Sequence, residues 1–243
     1  MTFKHLEDKL EVEQYETYLD IVNRLKEPFN STLKYMLDMA AVLDQVKLKD
    51  EYAIFGGYGV LTHIVDQFGD RIIPTWRGSQ DIDMIGDEKV KSTLKGFYNI
   101  ESDMASPNIR NKRTLKIVEE GRECKVDFTL GNVKEGQYEI EEKIILGIPI
   151  MVVSPYDLIK SKVLLSDKEL IHKIDVLKLL GVLEHRQKSI KDLVAELNEH
   201  QRENLYKILE NGKGVTENMR MNLGPSNDYA RSLKTYLNKV IMH

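Results

Sequence analysis

The chain holds a single cysteine, Cys124, among 243 residues. One thiol makes no internal disulfide, which removes the stapled secreted scaffolds and fits a reducing cytoplasm. Cys124 itself reads as core filler rather than a nucleophile. Proline occurs 6 times and tryptophan once. No apolar run approaches the ~20 residues that cross a bilayer. The opening residues, Met1-Thr2-Phe3-Lys4-His5-Leu6-Glu7-Asp8, are too acidic and polar for a signal peptide. A cytoplasmic protein with no membrane partner is therefore expected. The 6 histidines are scattered, which argues against a Cys/His metal cluster. No G-K-[ST] follows any glycine turn, so there is no P-loop. The G-x-G-x-x-G dinucleotide fingerprint is also missing. Repeats and low-complexity tracts are absent.

What is present is ordinary for a globular protein, with 42% hydrophobic and 30% charged residues. A chain of this length buries a good core in one or two domains. The net charge of −4 is uneven: −3 over residues 1–50, −4 over 51–153 and +3 over 154–243. A basic tail of that size helps an RNA or nucleotide approach, or is only a solvated helix surface. The periodicity predicts an N-terminal helical segment over 1–49, broken at Pro28, with helices near 4–26 and 29–47. An α/β region over 50–153 follows. Within it, strands are expected near 52–55 and 81–86, and helices near 58–69 and 89–97. Hairpins are expected over 111–130, turning at Glu120-Gly121, and over 138–152, turning at Gly147. Residues 154–243 read as a helical domain. Its expected breaks lie near His185–Ser189, Asn211–Gly214 and Gly224-Pro225.

The chemistry concentrates in two stretches. Asp81-Ile82-Asp83-Met84-Ile85 begins with alternating acidic and apolar residues, so Asp81 and Asp83 share one face of a strand. Two carboxylates that close repel unless a cation lies between them, and a hard ion such as Mg²⁺ suits such oxygens. In Lys125-Val126-Asp127-Phe128-Thr129-Leu130 the apolar face is Val126, Phe128 and Leu130. Asp127 stands on the opposite face with Lys125 and Thr129. If that strand neighbours the first, Asp127 completes a three-carboxylate cage for two metals. Taken alone, a D-x-D pair is common, and its bland reading is a solvated strand end.

Upstream, Tyr52-Ala53-Ile54-Phe55 reads as a buried strand. Gly56-Gly57 breaks it, and Val60, Leu61, Ile64, Val65 and Phe68 recur at helical spacing. A strand, a glycine turn and a helix start leave backbone N–H groups beside the positive end of a helix dipole, an arrangement that holds phosphate. Glycine lets a phosphate approach the backbone closely. The bland alternative is a tight turn without a ligand.

Gly56-Gly57, followed after about twenty residues by Arg77-x-Ser79-x-Asp81-Ile82-Asp83, resembles the DNA polymerase β-type nucleotidyltransferase superfamily. More narrowly it is similar to the branch of abortive-infection (AbiEii-like) toxins. The resemblance covers residues 50–182. It implies an α/β (α+β) fold: a palm with a mixed sheet, flanked by N-terminal helices and a C-terminal helical domain. It implies transfer of a nucleoside monophosphate from an NTP to a hydroxyl acceptor with Mg²⁺ or Mn²⁺. Asp81, Asp83 and Asp127 would be metal ligands, with Asp127 the base toward the acceptor. Gly56 and Gly57 would cradle the triphosphate. Arg77 and Ser79 fall where that branch carries its R-x-[ST] pair. The acceptor stays open among RNA such as tRNA, protein and small molecules, and so does the existence of an antitoxin partner. Many superfamily members carry Ser after the first glycine. Here the run is Gly57-Tyr58-Gly59, and Tyr58 either stacks on a base or packs. Trp76 is expected to pack.

The second half extends the resemblance. Ser154-Pro155-Tyr156-Asp157-Leu158-Ile159-Lys160-Ser161-Lys162 is similar to the helix after the palm, whose lysine falls at Lys162. Leu158, Ile159, Val163 and Leu165 surround Lys162 on one helix face. A lysine so placed snorkels out or meets an anion, either a triphosphate or a carboxylate. Asp175 lies in a stretch apolar almost all round, between Ile171, Leu179 and Val182, so it needs a partner. The branch carries a K-D-x-x-D-like pattern here. This chain has His172-Lys173-Ile174-Asp175, without the first Asp. Asp175 contacts the nucleotide or pairs with Lys162 or Arg77, the structural role being favoured. Two rivals remain for the whole: a non-catalytic nucleotide- or RNA-binding protein on the same palm, and an interaction protein whose acids are merely solvated.

Overall fold

The computed structural model describes residues 9–76, 78–107, 109–119, 121–136, 138–166, 169–211 and 224–241. The chain divides into two compact units after Val153.

The first unit opens with helix α1 (Val12–Asn23) and helix α2 (Phe29–Gln45). Strand β1 (Tyr52–Phe55) follows and passes directly into helix α3 (Gly56–Phe68). A short 3₁₀ turn over Asp70–Thr75 leads to strand β2 (Asp81–Gly86) and helix α4 (Glu88–Phe97). The remaining strands are β3 (Ile100–Ala105), β4 (Lys112–Glu119), β5 (Arg122–Leu130), β6 (Ile140–Ile145) and β7 (Ile148–Val153). They form one mixed sheet in the order β3-β4-β5-β2-β1-β7-β6. β2 runs parallel to β5 and β1 parallel to β7, while the other neighbours are antiparallel.

The core follows from the alternation. Ile82, Met84, Val126, Phe128, Leu115 and Ile117 are fully buried. Helix α2 packs against β2, β5 and β7. It is buried on every side, with Leu33, Tyr35, Met36, Leu37, Met39, Val42 and Leu43 nearly or wholly inaccessible. It also buries Asp38, whose carboxylate accepts a 2.7 Å hydrogen bond from the Tyr98 hydroxyl. Burial pushes the Tyr98 phenol well above its ordinary range, and the Asp38 charge adds to that. Sequence periodicity did not single out this buried polar pair.

The second unit is helical: α5 (Pro155–Leu165), α6 (Leu170–His185), α7 (Ile190–Glu196), α8 (Glu199–Asn211) and α9 (Asn227–Ile241). Ser154 caps α5, its hydroxyl accepting from the Asp157 N–H, with Pro155 in the first turn. Ser189 caps α7 in the same way.

The expected strand at 52–55, the strand at 81–86 and both hairpins are present, within a residue or two. Three features differ. The strand β3 was not expected, because its I-E-S-D-M-A run is half exposed along a sheet edge and alternates weakly. The segment between α3 and β2 winds into a 3₁₀ turn. Helices α7 and α8 are separated at Leu197-Asn198, where Asn198 and Gln201 exchange reciprocal backbone-to-side-chain hydrogen bonds of 2.9 Å. The expected break at Asn211–Gly214 falls largely outside the described residues.

Candidate functional site

The parallel pairing of β2 with β5 sets Asp83 opposite Asp127 and Asp81 opposite Lys125. With a period of two, all four side chains leave the sheet on one side, away from Ile82, Met84, Val126 and Phe128. The adjacency on which a third carboxylate depends is thus met by the strand order.

The turn preceding α3 is pressed against this row. Phe55 pairs with Asp83 across β1 and β2. Gly56 follows in the left-handed region at φ 62°, and a Cβ built there would fall on the Asp83 carboxylate, 2.6 Å from its Cγ. No residue but glycine fits both the backbone and the space. Phe55 gives the first helical turn no side-chain cap, and that turn begins at Gly56, against the Asp83 carboxylate. Close approach therefore explains Gly56, and the group approaching is a carboxylate of the chain itself.

Lysines are interleaved with the acids. The Lys125 ammonium lies 3.0 Å from Asp127 Oδ1 and 3.5 Å from Asp81 Oδ2. Lys112, from β4, reaches Asp127 Oδ2 at 2.8 Å. Thr114, which faces Asp127 in the β4–β5 register, donates to Oδ1 at 3.0 Å. Burial alone would raise the Asp127 carboxyl, but the hydrogen bonds from Lys112 and Lys125 outweigh it and hold the group below the usual carboxylate range. Conversely, burial would lower Lys125, and the two carboxylates hold it above its ordinary value. Ser79 donates to Asp81 Oδ1 at 3.3 Å.

Among the described residues no group of three His, Cys, Asp or Glu side chains converges closely enough to cage a metal. The donor chemistry nevertheless suits a hard divalent ion: carboxylates on neighbouring strands already share one cationic group, the Lys125 ammonium, which stands in for an ion between them. Mg²⁺ needs only one or two protein carboxylates when phosphate oxygens complete its shell. Asp81 and Asp83 lie two residues apart on one face of β2.

The other sequence-selected residues are placed as follows. Gly57 and Tyr58 lie in the first turn of α3. Tyr58 is fully buried, with its ring 6.1 Å from that of Phe29. It packs, and no face is open to a base. Gly78 lies against Phe29 as well. Trp76 is buried. Cys124 is buried and its thiol pushed far up by burial, so it is no nucleophile. Arg77 lies outside the described residues. In the helical unit, Lys162 and Asp175 meet at 2.8 Å, with side chains 7% and 0% exposed. The lysine on the apolar face of α5 thus meets a carboxylate of α6. Lys112 and Thr114 were not foreseen, because only the β4 register brings them to Asp127. Lys125 carried a signal, since it stands two residues before Asp127 on the polar face.

No family model matches the chain, and no curated protein matches it in sequence. Solved structures align with it in three dimensions. An antigenic nucleotidyltransferase-like protein from Paracoccidioides brasiliensis aligns over 79% of this chain and 93% of its own, at 14% identity and a TM-score of 0.48. ANT(2″)-Ia, solved with adenylyl-2″-tobramycin, aligns over 68% and 92%, at 14% identity and a TM-score of 0.45. The Megavirus polyadenylate synthase aligns over 84% of this chain and 43% of its own, at 14% identity and a TM-score of 0.32. The chemistry therefore rests on the residues of this chain.

Proposed function

We infer that the chain is a metal-dependent nucleotidyltransferase that moves a nucleoside monophosphate from an NTP to a hydroxyl acceptor. The observation that carries this reading is the Asp83 carboxylate packed on the Gly56 turn and set opposite Asp127 on a parallel strand. Acids for a cation and a helix start for phosphate are thereby adjacent in one row. Asp81 and Asp83 would hold Mg²⁺ or Mn²⁺, with Asp127 next to them. Such an ion, when bound, neutralises phosphate charge and polarises the attacking hydroxyl.

The N–H groups at the start of α3 would orient the triphosphate, with Gly56, the less buried of the two glycines, at the surface of that turn. Ser79 fixes one oxygen of Asp81. The acceptor oxygen attacks the α-phosphorus in line, the bond to the β-phosphate oxygen breaks, and pyrophosphate leaves with its electron pair. The acceptor proton passes to Asp127 or to water. Two ammonium groups keep Asp127 ionised, which favours it as a ligand and weakens it as a base. Catalysis of this kind is mostly positioning and charge stabilisation.

The toxin-like branch, with tRNA, protein or a small molecule as acceptor and an antitoxin partner, is the narrower form of the same reading. It rests on the Arg77-x-Ser79 and Lys162 resemblances. The cytoplasm is its proposed location. Incubation with each α-labelled NTP, Mg²⁺ and total RNA or lysate is the test, scoring which molecule gains label. Label in RNA, protein or a small molecule identifies the acceptor. NTP binding without pyrophosphate release would instead favour the non-catalytic module, a reading to which the lysine neutralisation of Asp127 lends weight. No thermal stabilisation by Mg²⁺ plus NTP would leave only an interaction protein.

A further inference from the structure

We propose that Lys125 is a built-in counter-cation of the acid row, and that a divalent ion enters by displacing it. The inference rests on the metal reading above and goes beyond it by assigning a role to a residue that is not a ligand.

One ammonium bridges carboxylates of two neighbouring strands, 3.0 Å from Asp127 and 3.5 Å from Asp81. That is the electrostatic position of a shared cation. Three carboxylates in a row, Asp81, Asp83 and Asp127, repel one another strongly without positive charge among them. Lys112 and Lys125 set two positive charges against Asp127 and Asp81, which offsets part of that repulsion before any ion arrives.

The two lysines are not equivalent. Lys112 holds the Asp127 oxygen opposite the shared side and is 26% exposed, whereas Lys125 is 48% exposed and makes the longer contact to Asp81. A flexible four-carbon stem ending half in water leaves at little cost. The neighbouring Lys116, opposite Lys125 in the β4–β5 register, cannot substitute. Glu101 and Glu123 both hold it at 2.7 Å. Lys125 is thus the exchangeable charge, and Asp81 and Asp127 are the oxygens it releases.

The test is a Mn²⁺ titration of the full chain without nucleotide, read by the electron paramagnetic resonance of free Mn²⁺. Lys125→Met is expected to tighten Mn²⁺ about fivefold, which is ~1 kcal/mol for an exposed pair at 1.4 kcal/mol per tenfold change. It is also expected to melt lower than the wild type in EDTA and to regain that loss with Mn²⁺. Lys125→Arg, which keeps the charge, should bind as the wild type does, and so should Lys116→Met. If Lys125→Met does not fold, Lys125→Gln carries the same expectation. Binding that Asp81→Asn removes, but that is equal or weaker in Lys125→Met, overturns this inference alone. Mn²⁺ binding that is indifferent to Asp81→Asn and Asp83→Asn, or absent from both proteins when thermal stabilisation by Mn²⁺ plus a non-hydrolysable NTP is absent too, overturns the metal reading along with it.

Discussion

Two lysine–aspartate contacts in this protein obey opposite physics. In the helical unit Lys162 and Asp175 meet at 2.8 Å with both side chains almost fully shielded. In the sheet unit Lys125 spans Asp81 and Asp127 with nearly half its side chain in water. The buried pair cannot be opened cheaply, because either charge left alone in a low-dielectric interior is strongly disfavoured. The open pair is held by a fraction of that free energy. Burial makes the first a fixed structural element and leaves the second able to trade partners. The same residue types therefore serve permanence in one unit and exchange in the other.

The comparison breaks most sharply at the acids themselves. Asp81→Asn or Asp83→Asn should lower nucleotidyl transfer by about 10³-fold or more, on the scale of losing a central electrostatic element. Melting temperature in EDTA should hold or rise, since a carboxylate repulsion is relieved. Turnover near the wild-type rate in either variant would remove the metal assignment.

Next comes the buried contact. Asp175→Ala or Lys162→Ala should destabilise the fold by about 3–5 kcal/mol in urea unfolding, because each removes one partner of a buried ion pair. Lys162→Met combined with Asp175→Leu should recover most of that loss. A single variant that unfolds like the wild type would show that the pair is not desolvated.

A smaller effect is expected at the glycine turn. Gly56→Ala places a side chain in the left-handed region and onto Asp83, costing about 1–3 kcal/mol of stability by strain alone. The carboxylate must also shift, so transfer should fall further than stability does. Gly57→Ala, whose backbone is not left-handed, should be milder in unfolding.

The smallest effect is a pH dependence. The folded state holds the Asp127 carboxyl below its unfolded value. Its ionised form thus contributes stability above about pH 4, the ordinary carboxylate range, and that contribution is lost as pH falls through the folded value. With Lys125 well exposed, the amount should stay under about 1 kcal/mol. The wild type should therefore lose slightly more stability than Asp127→Asn between about pH 5 and 3 in parallel urea titrations. Equal losses would mean that the lysine contacts do not persist in solution.

Much of this was legible in the chain. The runs Tyr52–Phe55 and Asp81–Gly86, and the hairpins on either side of Gly121 and Gly147, carry strong local signals: β-branched and aromatic content, alternation and glycine turns. The edge strand β3 carries none of these strongly and went unread. Asp81, Asp83 and Gly56 announced themselves by spacing, and the polar face shared by Lys125 and Asp127 was visible too. The need of Asp175 for a partner was also readable, since an acid in an all-apolar helix has few options, and Lys162 was one of the two candidates. Lys112 and Thr114 were invisible beside Asp127, because thirteen or more residues of chain separate them from it and only hairpin register brings them across. Tyr58 reads two ways in the sequence, and only the fold decides, by burying it completely beside Phe29.

What the sequence determined by itself was periodic: which side chains share a face of a strand or helix, and where glycine must interrupt them. That information is local, set by a two-residue or 3.6-residue repeat and by the sterics of a missing Cβ. What only the tertiary structure decided was which face meets which. The parallel register of β5 on β2 put Asp127 opposite Asp83 and slid a lysine opposite Asp81. A shift of β5 by one residue would have turned Asp127 and Lys125 into the core. Pairing of distant strands is chosen by the burial of both sheet faces together, and no single segment encodes it.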